Sequence, residues 1–216
     1  MDHYKLIIFD WDGTVMDSVA RIVSSMRSAA KDVGLKVPTD QQVKDIIGLS
    51  LPQATQRLFP NTIEEKASLL HLRYKKHYIE LDDTPTPLFS HAEQLFSDLL
   101  SQGKLLAVAT GKGREGLDRL LRLTDTKQYF HSSRCASECQ SKPHPEMLYQ
   151  LLDEFSLQSH EAVMIGDSVH DLSMAEKANV DSIGVSYGVH DYQALSQHKP
   201  KAIVNSLREL SEILLK

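Results

Sequence analysis

Short apolar runs recur along this chain and predict buried β-strands. The first run, residues 5–9, is rich in β-branched and aromatic side chains and stops abruptly at Asp10. Apolar runs without polar alternation are typical of central strands in a parallel sheet, which are covered on both faces. Four similar runs follow at residues 105–109, 162–165, 182–185 and 202–204.

Amphipathic stretches of helical length separate these runs. They lie at residues 91–101, 114–123, 145–155, 169–178 and 206–215. Strands that alternate with helices of this size indicate βαβ units. The expected fold class is therefore α/β, with a doubly wound parallel sheet.

Residues 16–83 interrupt the alternation, because they contain helix signals and no convincing strand. Asp17 or Ser18 can cap a helix that runs to Val33 and is ended by Gly34, and Leu51-Pro52 begins another. A proline-rich connection at residues 82–87 resists regular structure. The expected domains are an α/β core of residues 1–15 and 86–216 and an inserted α-helical cap of residues 16–85.

The composition is that of an ordinary globular protein. The chain has 216 residues, of which 41% are hydrophobic and 25% charged, and its formal net charge is −5. This balance argues against a general nucleic-acid binder. The two cysteines, Cys135 and Cys139, suit neither a disulfide framework nor a zinc site. No apolar stretch is long enough for a signal peptide or a membrane span, so we expect a cytoplasmic protein. Its oligomeric state is not encoded in any recognisable pattern.

Polar residues follow the predicted strands at the points where the strands end. The residues at these ends and in one nearby loop are Asp10, Asp12, Thr110, Gly111, Lys142, Asp167 and Asp171. Each group alone is typical of a turn, a helix cap or a solvated charge. The carboxyl ends of parallel strands, however, meet at one edge of a sheet, where ligands bind. All the groups together therefore favour a functional site.

This collection of side chains suits phosphate chemistry. Several carboxylates in one place repel each other unless a cation joins them, and Mg²⁺ prefers oxygen ligands. The metal and Lys142 could neutralise a phosphoryl group, while Thr110 and backbone N–H groups donate hydrogen bonds to it. A carboxylate could then attack phosphorus to give an aspartyl-phosphate. Asp12 is placed to protonate the leaving oxygen and later to activate water.

Four short motifs resemble the signature motifs of the haloacid dehalogenase-like hydrolase superfamily. They are Asp10-Trp-Asp-Gly-Thr14, Thr110-Gly111, Lys142-Pro143 and Gly166-Asp-Ser-Val-His-Asp171. The resemblance covers nearly the whole chain. The helical insert is similar to the small cap of the subfamily that includes phosphoglycolate phosphatases.

The resemblance implies a role for each matched residue. Asp10 would be the nucleophile and a Mg²⁺ ligand, and Asp12 the general acid/base that also binds Mg²⁺ through its carbonyl. Asp167 would be the third Mg²⁺ ligand, and Asp171 would support the metal or the lysine. Thr110, Gly111 and Lys142 would bind the substrate phosphate. The cap segment Gly48-Leu49-Ser50 resembles the loop that enters the active site.

These motifs narrow the expected activity without naming a substrate. Dehalogenases and phosphonate hydrolases of the superfamily lack an acid at the Asp12 position, and sugar phosphomutases usually carry a histidine where Ile22 stands. Where many capped relatives have Pro-Gly, this chain has Leu88-Phe89-Ser90-His91. The expectation is a Mg²⁺-dependent phosphatase for a small phosphorylated metabolite, phosphoglycolate phosphatase-like. The alternatives are a sugar phosphomutase, a pyrophosphatase or a phospho-accepting receiver. Arg21 and Arg57 of the cap could meet a substrate carboxylate, although solvated helix charges are the simpler interpretation.

Overall fold

The computed structural model describes residue 1 and residues 3–216, and within it six strands form one parallel sheet. The strands are β1 (Leu6–Phe9), β2 (Leu105–Thr110), β3 (Ser132–Cys135), β4 (Ala162–Gly166), β5 (Asp181–Val185) and β6 (Ala202–Val204). Their spatial order is β3-β2-β1-β4-β5-β6. In the centre, Leu6 of β1 pairs with Leu105 of β2 on one side and with Ala162 of β4 on the other. The five strands expected from the apolar runs are all present.

The edge strand β3 is the one strand that the apolar runs do not reveal. Its sequence is Ser132-Ser-Arg-Cys135, and it pairs with β2 through Ala107 and Ser132. An edge strand has a neighbour on one side only and tolerates polar side chains, which also discourage pairing with other chains. The hydrophobic pattern is therefore weak at this strand.

The insert lies between β1 and the helix Ala92–Ser101 in the chain, and its regular elements are all helices. They are α1 (Val19–Asp32), α2 (Asp40–Lys44), α3 (Leu51–Leu58) and α4 (Glu64–Lys76), which continues as a π-helical turn, His77–Leu81. Gly34 ends α1 with a φ of 64°, and Thr39 begins α2 with a capping box. These helices pack around a hydrophobic cluster of their own, which includes Ile22, Met26 and Leu70.

The helices of the core cover both faces of the sheet. They are α5 (Ala92–Ser101), α6 (Arg114–Leu123), α7 (Glu146–Glu154), α8 (Val169–Lys177), α9 (Tyr192–Ser196) and α10 (Leu207–Leu214). Alternate residues of β1 point to opposite sides, so Phe9 packs with Phe96 of α5 while Ile8 joins the cluster of Met147 from α7. This arrangement confirms the expected doubly wound α/β fold with a helical insert. Among the described residues, no helix has the length and apolar character needed to cross a membrane.

Candidate active site

Four charged side chains from distant parts of the chain meet at the carboxyl edge of the sheet. Asp10 follows β1, Asp167 follows β4, Asp171 lies in the first turn of α8, and Lys142 precedes α7. All four are buried. The Lys142 ammonium lies 2.7 Å from Asp10 Oδ1 and 2.6 Å from Asp171 Oδ1. One carboxylate oxygen from each aspartate lies within 4.8 Å of the other two.

Three glycines, Gly13, Gly166 and Gly188, allow these carboxylates to approach the backbone closely. Gly13 has a φ of 79°, and a Cβ built there would overlap the Asp167 carboxylate. At Gly166 a Cβ would overlap the side chain of Asp171. Because any larger residue would displace a carboxylate, the glycines after β1 and in β4 are requirements of the site itself.

The hydrogen bonds of Asp171 assign it a supporting position. Its Oδ2 accepts hydrogen bonds from the Ser168 N–H at 3.1 Å and the Ser168 hydroxyl at 2.6 Å, in the capping box that begins α8. Its Oδ1 accepts from Lys142. Since both oxygens are engaged, this geometry favours the second of the two expected roles of Asp171, which is to hold the lysine.

Asp10 and Asp167 differ in how their oxygens are used. Asp167 accepts hydrogen bonds from the Thr14 hydroxyl at 3.0 Å and the Val189 N–H at 2.7 Å. Asp10 uses only Oδ1, towards Lys142, and its buried Oδ2 has no hydrogen-bond partner among the described residues. A buried, unpaired carboxylate oxygen is costly. A divalent cation between Asp10 and Asp167 would satisfy it, so the donor set fits a hard metal ion such as Mg²⁺.

Burial and mutual repulsion raise the pKa values of Asp10 and Asp167. Burial raises the pKa of Asp10 to about 7, although the Lys142 charge acts in the opposite direction. Burial, followed by the charges of Asp10 and Asp171, raises the pKa of Asp167 well above its usual range. Burial alone would lower the pKa of Lys142, but the two aspartates that it contacts raise it overall. Three acidic groups around one ammonium therefore leave an excess of negative charge that a metal can offset.

Asp12 faces the mouth of the site and has separate partners. Its Oδ1 accepts a 2.5 Å hydrogen bond from the Ser18 hydroxyl, and its Oδ2 lies 2.8 Å from the Lys112 ammonium. Lys112 in turn lies 4.8 Å from the centroid of the Tyr78 ring, which comes from the π-helical turn of the insert. These contacts fix the direction of the Asp12 carboxylate. Sequence reasoning missed Lys112, although its position directly after Thr110-Gly111 at a strand end was a usable signal.

Thr110 and Gly111 close the other side of the site. Thr110 is buried at the end of β2, and its hydroxyl accepts a 3.2 Å hydrogen bond from the Lys112 N–H. A Cβ at Gly111 would overlap the carbonyl oxygens of Gly48 and Leu49, which belong to the loop before α3. A glycine is therefore needed where the insert touches the core.

The loop between α2 and α3 lies directly over the core. The Ser50 N–H donates to the Ser141 hydroxyl at 2.7 Å, next to Lys142. His170 Nε2 lies 3.1 Å from the Asp45 carbonyl oxygen and can donate a hydrogen bond to it. His170 thus contacts the insert, and it does not line the cavity between the insert and the core.

A cavity of about 920 Å³ separates the insert from the core. Its floor contains Asp10, Asp12, Thr110 and Gly111. Its roof is largely apolar and is formed by Ile22, Met26, Ile46, Ile47, Leu49 and Leu51. A small phosphorylated molecule would thus meet charged groups at one end and hydrocarbon along its body.

The known proteins most relevant to this chain share its length and its fold. A model described as haloacid dehalogenase-like hydrolase matches residues 7–185. Over 209 residues, the chain is 31% identical to Probable phosphatase IndB of Dickeya dadantii, with 95% of this chain and 91% of that protein covered. It is 26% identical to the phosphoglycolate phosphatase of Mannheimia succiniciproducens over 98% of both proteins.

A solved structure gives the same result. The crystal structure of a predicted phosphoglycolate phosphatase from Haemophilus somnus matches with a TM-score of 0.89 and 26% identity, over 99% of both chains. The chain therefore belongs to the haloacid dehalogenase-like hydrolase family. This confirms the resemblance found in the four motifs and the expectation that the protein is a hydrolase.

Proposed function

We propose that this protein is a Mg²⁺-dependent phosphatase that hydrolyses a small phosphate monoester through an aspartyl-phosphate on Asp10, in the manner of a phosphoglycolate phosphatase. The observation that carries the proposal is the buried cluster in which Lys142 holds one oxygen of Asp10 while the other has no partner in the described part of the chain. Membership in the hydrolase family and relatives that are named phosphatases support it.

The assignment of the metal ligands starts from the unpaired Asp10 Oδ2 and from the family resemblance. Asp167 accepts hydrogen bonds from neutral donors only and, unlike Asp171, does not contact Lys142. Asp10 and Asp167 offer carboxylate oxygens, and the Asp12 carbonyl is the third ligand that the family resemblance implies. Asp171 is assigned to Lys142 instead, because its oxygens already accept three hydrogen bonds. When bound there, Mg²⁺ would neutralise the substrate phosphoryl oxygens and act as a Lewis acid.

The side chains of the protein would carry out the two chemical steps. Lys142, Thr110 and the Gly111 N–H bind the phosphoryl group and align it with Asp10. The Asp10 carboxylate attacks phosphorus, so that a bond to Asp10 forms while the bond to the leaving oxygen breaks. Asp12 gives its proton to that oxygen, and then takes a proton from the water that attacks phosphorus and releases Asp10.

We also propose that residues 16–85 act as one cap that encloses the substrate. Their own hydrophobic cluster and the contacts of Asp45, Gly48 and Ser50 with the core support this division. Closure of such a cap excludes water from the reacting phosphoryl group, which strengthens every electrostatic interaction around it.

Magnesium is expected to stabilise the folded protein more strongly as the pH rises. The folded-state pKa values of Asp10 and Asp167 lie above those of an unfolded chain. Without metal, the contribution of Asp10 to stability is therefore complete at low pH and is lost as the pH rises through about 7, and the contribution of Asp167 is also lost as the pH rises. Mg²⁺ takes the place of the protons, so the rise in melting temperature on adding Mg²⁺ should grow between about pH 5.5 and about pH 8.5.

Thermal unfolding with and without Mg²⁺ across this range measures the effect. Asp10→Asn provides a control, because it removes one of the two titrating groups and should flatten the pH dependence. A Mg²⁺ effect that is the same at every pH in the native protein would contradict the assignment of these carboxylates to the metal.

Phosphate release from a panel of monoesters tests the proposed function. The panel should contain phosphoglycolate, sugar phosphates, nucleoside monophosphates and phenyl phosphate, with pyrophosphate as a separate arm. Many turnovers per enzyme in Mg²⁺, lost with EDTA and regained with excess Mg²⁺, are the expected result. Metal-independent turnover would contradict the metal site. A reaction that stops at one phosphoryl group per chain would indicate a receiver and contradict a phosphatase.

A further inference from the structure

The wall of the cavity carries a cation that the proposed chemistry does not use. Arg119 lies on α6 and lines the cavity beyond the catalytic cluster. Its Nε is buried and has no hydrogen-bond partner among the described residues, and no carboxylate there forms an ion pair with it. Two other cations of the cavity are neutralised within the protein, Lys112 by Asp12 at 2.8 Å and Arg114 by Glu138 at 2.8 Å.

Three cations surround the ring of Tyr78, and Arg119 is one of them. The ring of Tyr78 has the Lys112 ammonium at 4.8 Å from its centroid and the guanidinium carbons of Arg119 and Arg21 at 5.9 Å each. Asp12 is the one acid that pairs with any of these cations in the described part of the chain. Aromatic rings stabilise cations only modestly. A buried guanidinium nitrogen without a partner therefore indicates that a partner arrives from outside.

Arg21 is already committed to the backbone of the insert. Its Nε donates a 2.6 Å hydrogen bond to the Thr84 carbonyl oxygen, and it does not line the cavity. Arg122, one turn beyond Arg119 on α6, and Lys75 of α4 line the cavity too, but both are exposed to solvent. An exposed charge contributes little to binding an anion. Arg119 is thus the cation best placed to recognise a negative group in the interior.

The position of Arg119 relates it to the phosphoryl end of the site. Arg119 and Lys112 contact the same ring, and Lys112 contacts Asp12, which faces the leaving group in the proposed mechanism. An anion at Arg119 would therefore belong to the part of the substrate beyond the ester oxygen. The roof of the same cavity is largely hydrocarbon, including Ile22 and Met26.

We propose that Arg119 binds a second anionic group of the substrate, so that the substrate is a phosphate monoester whose organic part combines an apolar body with a carboxylate or a further phosphate. A guanidinium can hold either group with two parallel charge-assisted hydrogen bonds. This inference rests on the proposed phosphatase function and deepens it by stating the class of substrate.

Matched aryl phosphates test the inference on the full chain with Mg²⁺. Phenyl phosphate is the reference without a second anionic group. Meta- and para-carboxyphenyl phosphate carry a carboxylate, and meta- and para-phenylene bisphosphate carry a second phosphate. We expect kcat/KM for at least one ester with a second anionic group to exceed that for phenyl phosphate by about tenfold or more. The better of the carboxylate and bisphosphate series identifies the chemical source of the second anion.

Substitution of Arg119 should remove this preference. Arg119→Gln is expected to reduce the ratio of the two kcat/KM values by about tenfold or more, mainly through KM. Arg119→Lys keeps the charge without the fork and should give an intermediate ratio, and it serves as the second variant if Arg119→Gln folds poorly. Arg208→Gln, which changes the same side chain at an exposed position of α10, should keep the native ratio.

Two results would overturn the inference while leaving the phosphatase intact. One is an equal kcat/KM, in the native protein, for phenyl phosphate and for the esters with a second anionic group. The other is an Arg119→Gln variant that loses activity on both classes of ester to the same degree. If the native protein hydrolyses none of these esters and no member of the wider panel, the proposed function itself fails, and the inference fails with it.

Discussion

Asp10→Asn is expected to lower kcat by at least about 10⁴-fold, because an amide cannot form the phosphoryl bond that the mechanism requires. Asn retains the size of Asp and still offers an oxygen to the Lys142 ammonium, which now lies 2.7 Å from Asp10 Oδ1. The loss should therefore appear in turnover and not in folding. Steady-state phosphate release with Mg²⁺, on the best ester of the panel, measures it.

The stability of the same variant shows whether a loss of turnover comes from the missing nucleophile or from misfolding. Asp10, Asp167 and Asp171 place three carboxyl groups around the single ammonium of Lys142. Removal of one acidic group relieves repulsion, and the raised pKa of Asp10 means that its charged form is disfavoured in the folded protein. At about pH 8, metal-free Asp10→Asn should unfold at the same temperature as the native protein or higher. Native-like turnover in a correctly folded variant would contradict the nucleophile assignment.

Asp12→Asn is expected to have the second-largest effect, and its size should depend on the leaving group. Without a proton donor, kcat/KM for alkyl phosphates should fall by about 10²–10⁴-fold. Nitrophenyl phosphate has a leaving group that departs without protonation, so its kcat/KM should fall much less. Because water activation in the second step also needs Asp12, kcat should fall for both kinds of ester.

A matched control comes from the partners of Asp12. Ser18→Ala removes the 2.5 Å hydrogen bond to Asp12 Oδ1 but leaves both the carboxylate and its Lys112 contact. It should weaken catalysis without changing the dependence on the leaving group. An Asp12→Asn variant whose kcat/KM falls equally for alkyl and nitrophenyl esters would rule out the acid role.

The positions of five strands along the chain and the residues at their ends could be predicted because both depend on local pattern. The apolar runs mark β1, β2, β4, β5 and β6 within one or two residues of their observed bounds. Parallel strands bring their carboxyl ends to one edge, so Asp10 and Asp167 had to lie near each other. The polar strand β3 escaped, since an edge position does not require an apolar sequence.

The surroundings of Asp12 could not be predicted in the same way. Its partner Lys112 rests against Tyr78, which lies in the π-helical turn that continues α4. A pattern based on 3.6 residues per turn does not anticipate that change of phase. The position of Arg119 in the cavity wall could not be predicted either. On an amphipathic helix it resembles any other polar residue, and only the folded insert covers it.

The contacts of the insert also depend on the whole fold. Gly111 follows β2. A side chain at this position would overlap the carbonyl oxygens of Gly48 and Leu49, which belong to a distant part of the chain. Arg21 was considered as a substrate contact, yet its side chain donates to Thr84. These outcomes come from packing between segments far apart in sequence, and local pattern carries no information about them.

The proposed mechanism requires that Asp10 becomes covalently phosphorylated during turnover. The most direct measurement is rapid acid quench of the enzyme with Mg²⁺ and a good substrate, followed by mass spectrometry of the peptide that contains Asp10. Reduction of a quenched sample with borohydride would mark an acyl phosphate by converting that aspartate to homoserine. We expect one added phosphoryl group on Asp10, absent without Mg²⁺ and absent in Asp10→Asn. Rapid turnover with no phosphoryl group on Asp10 at any quench time, or with the group on another residue, would contradict it.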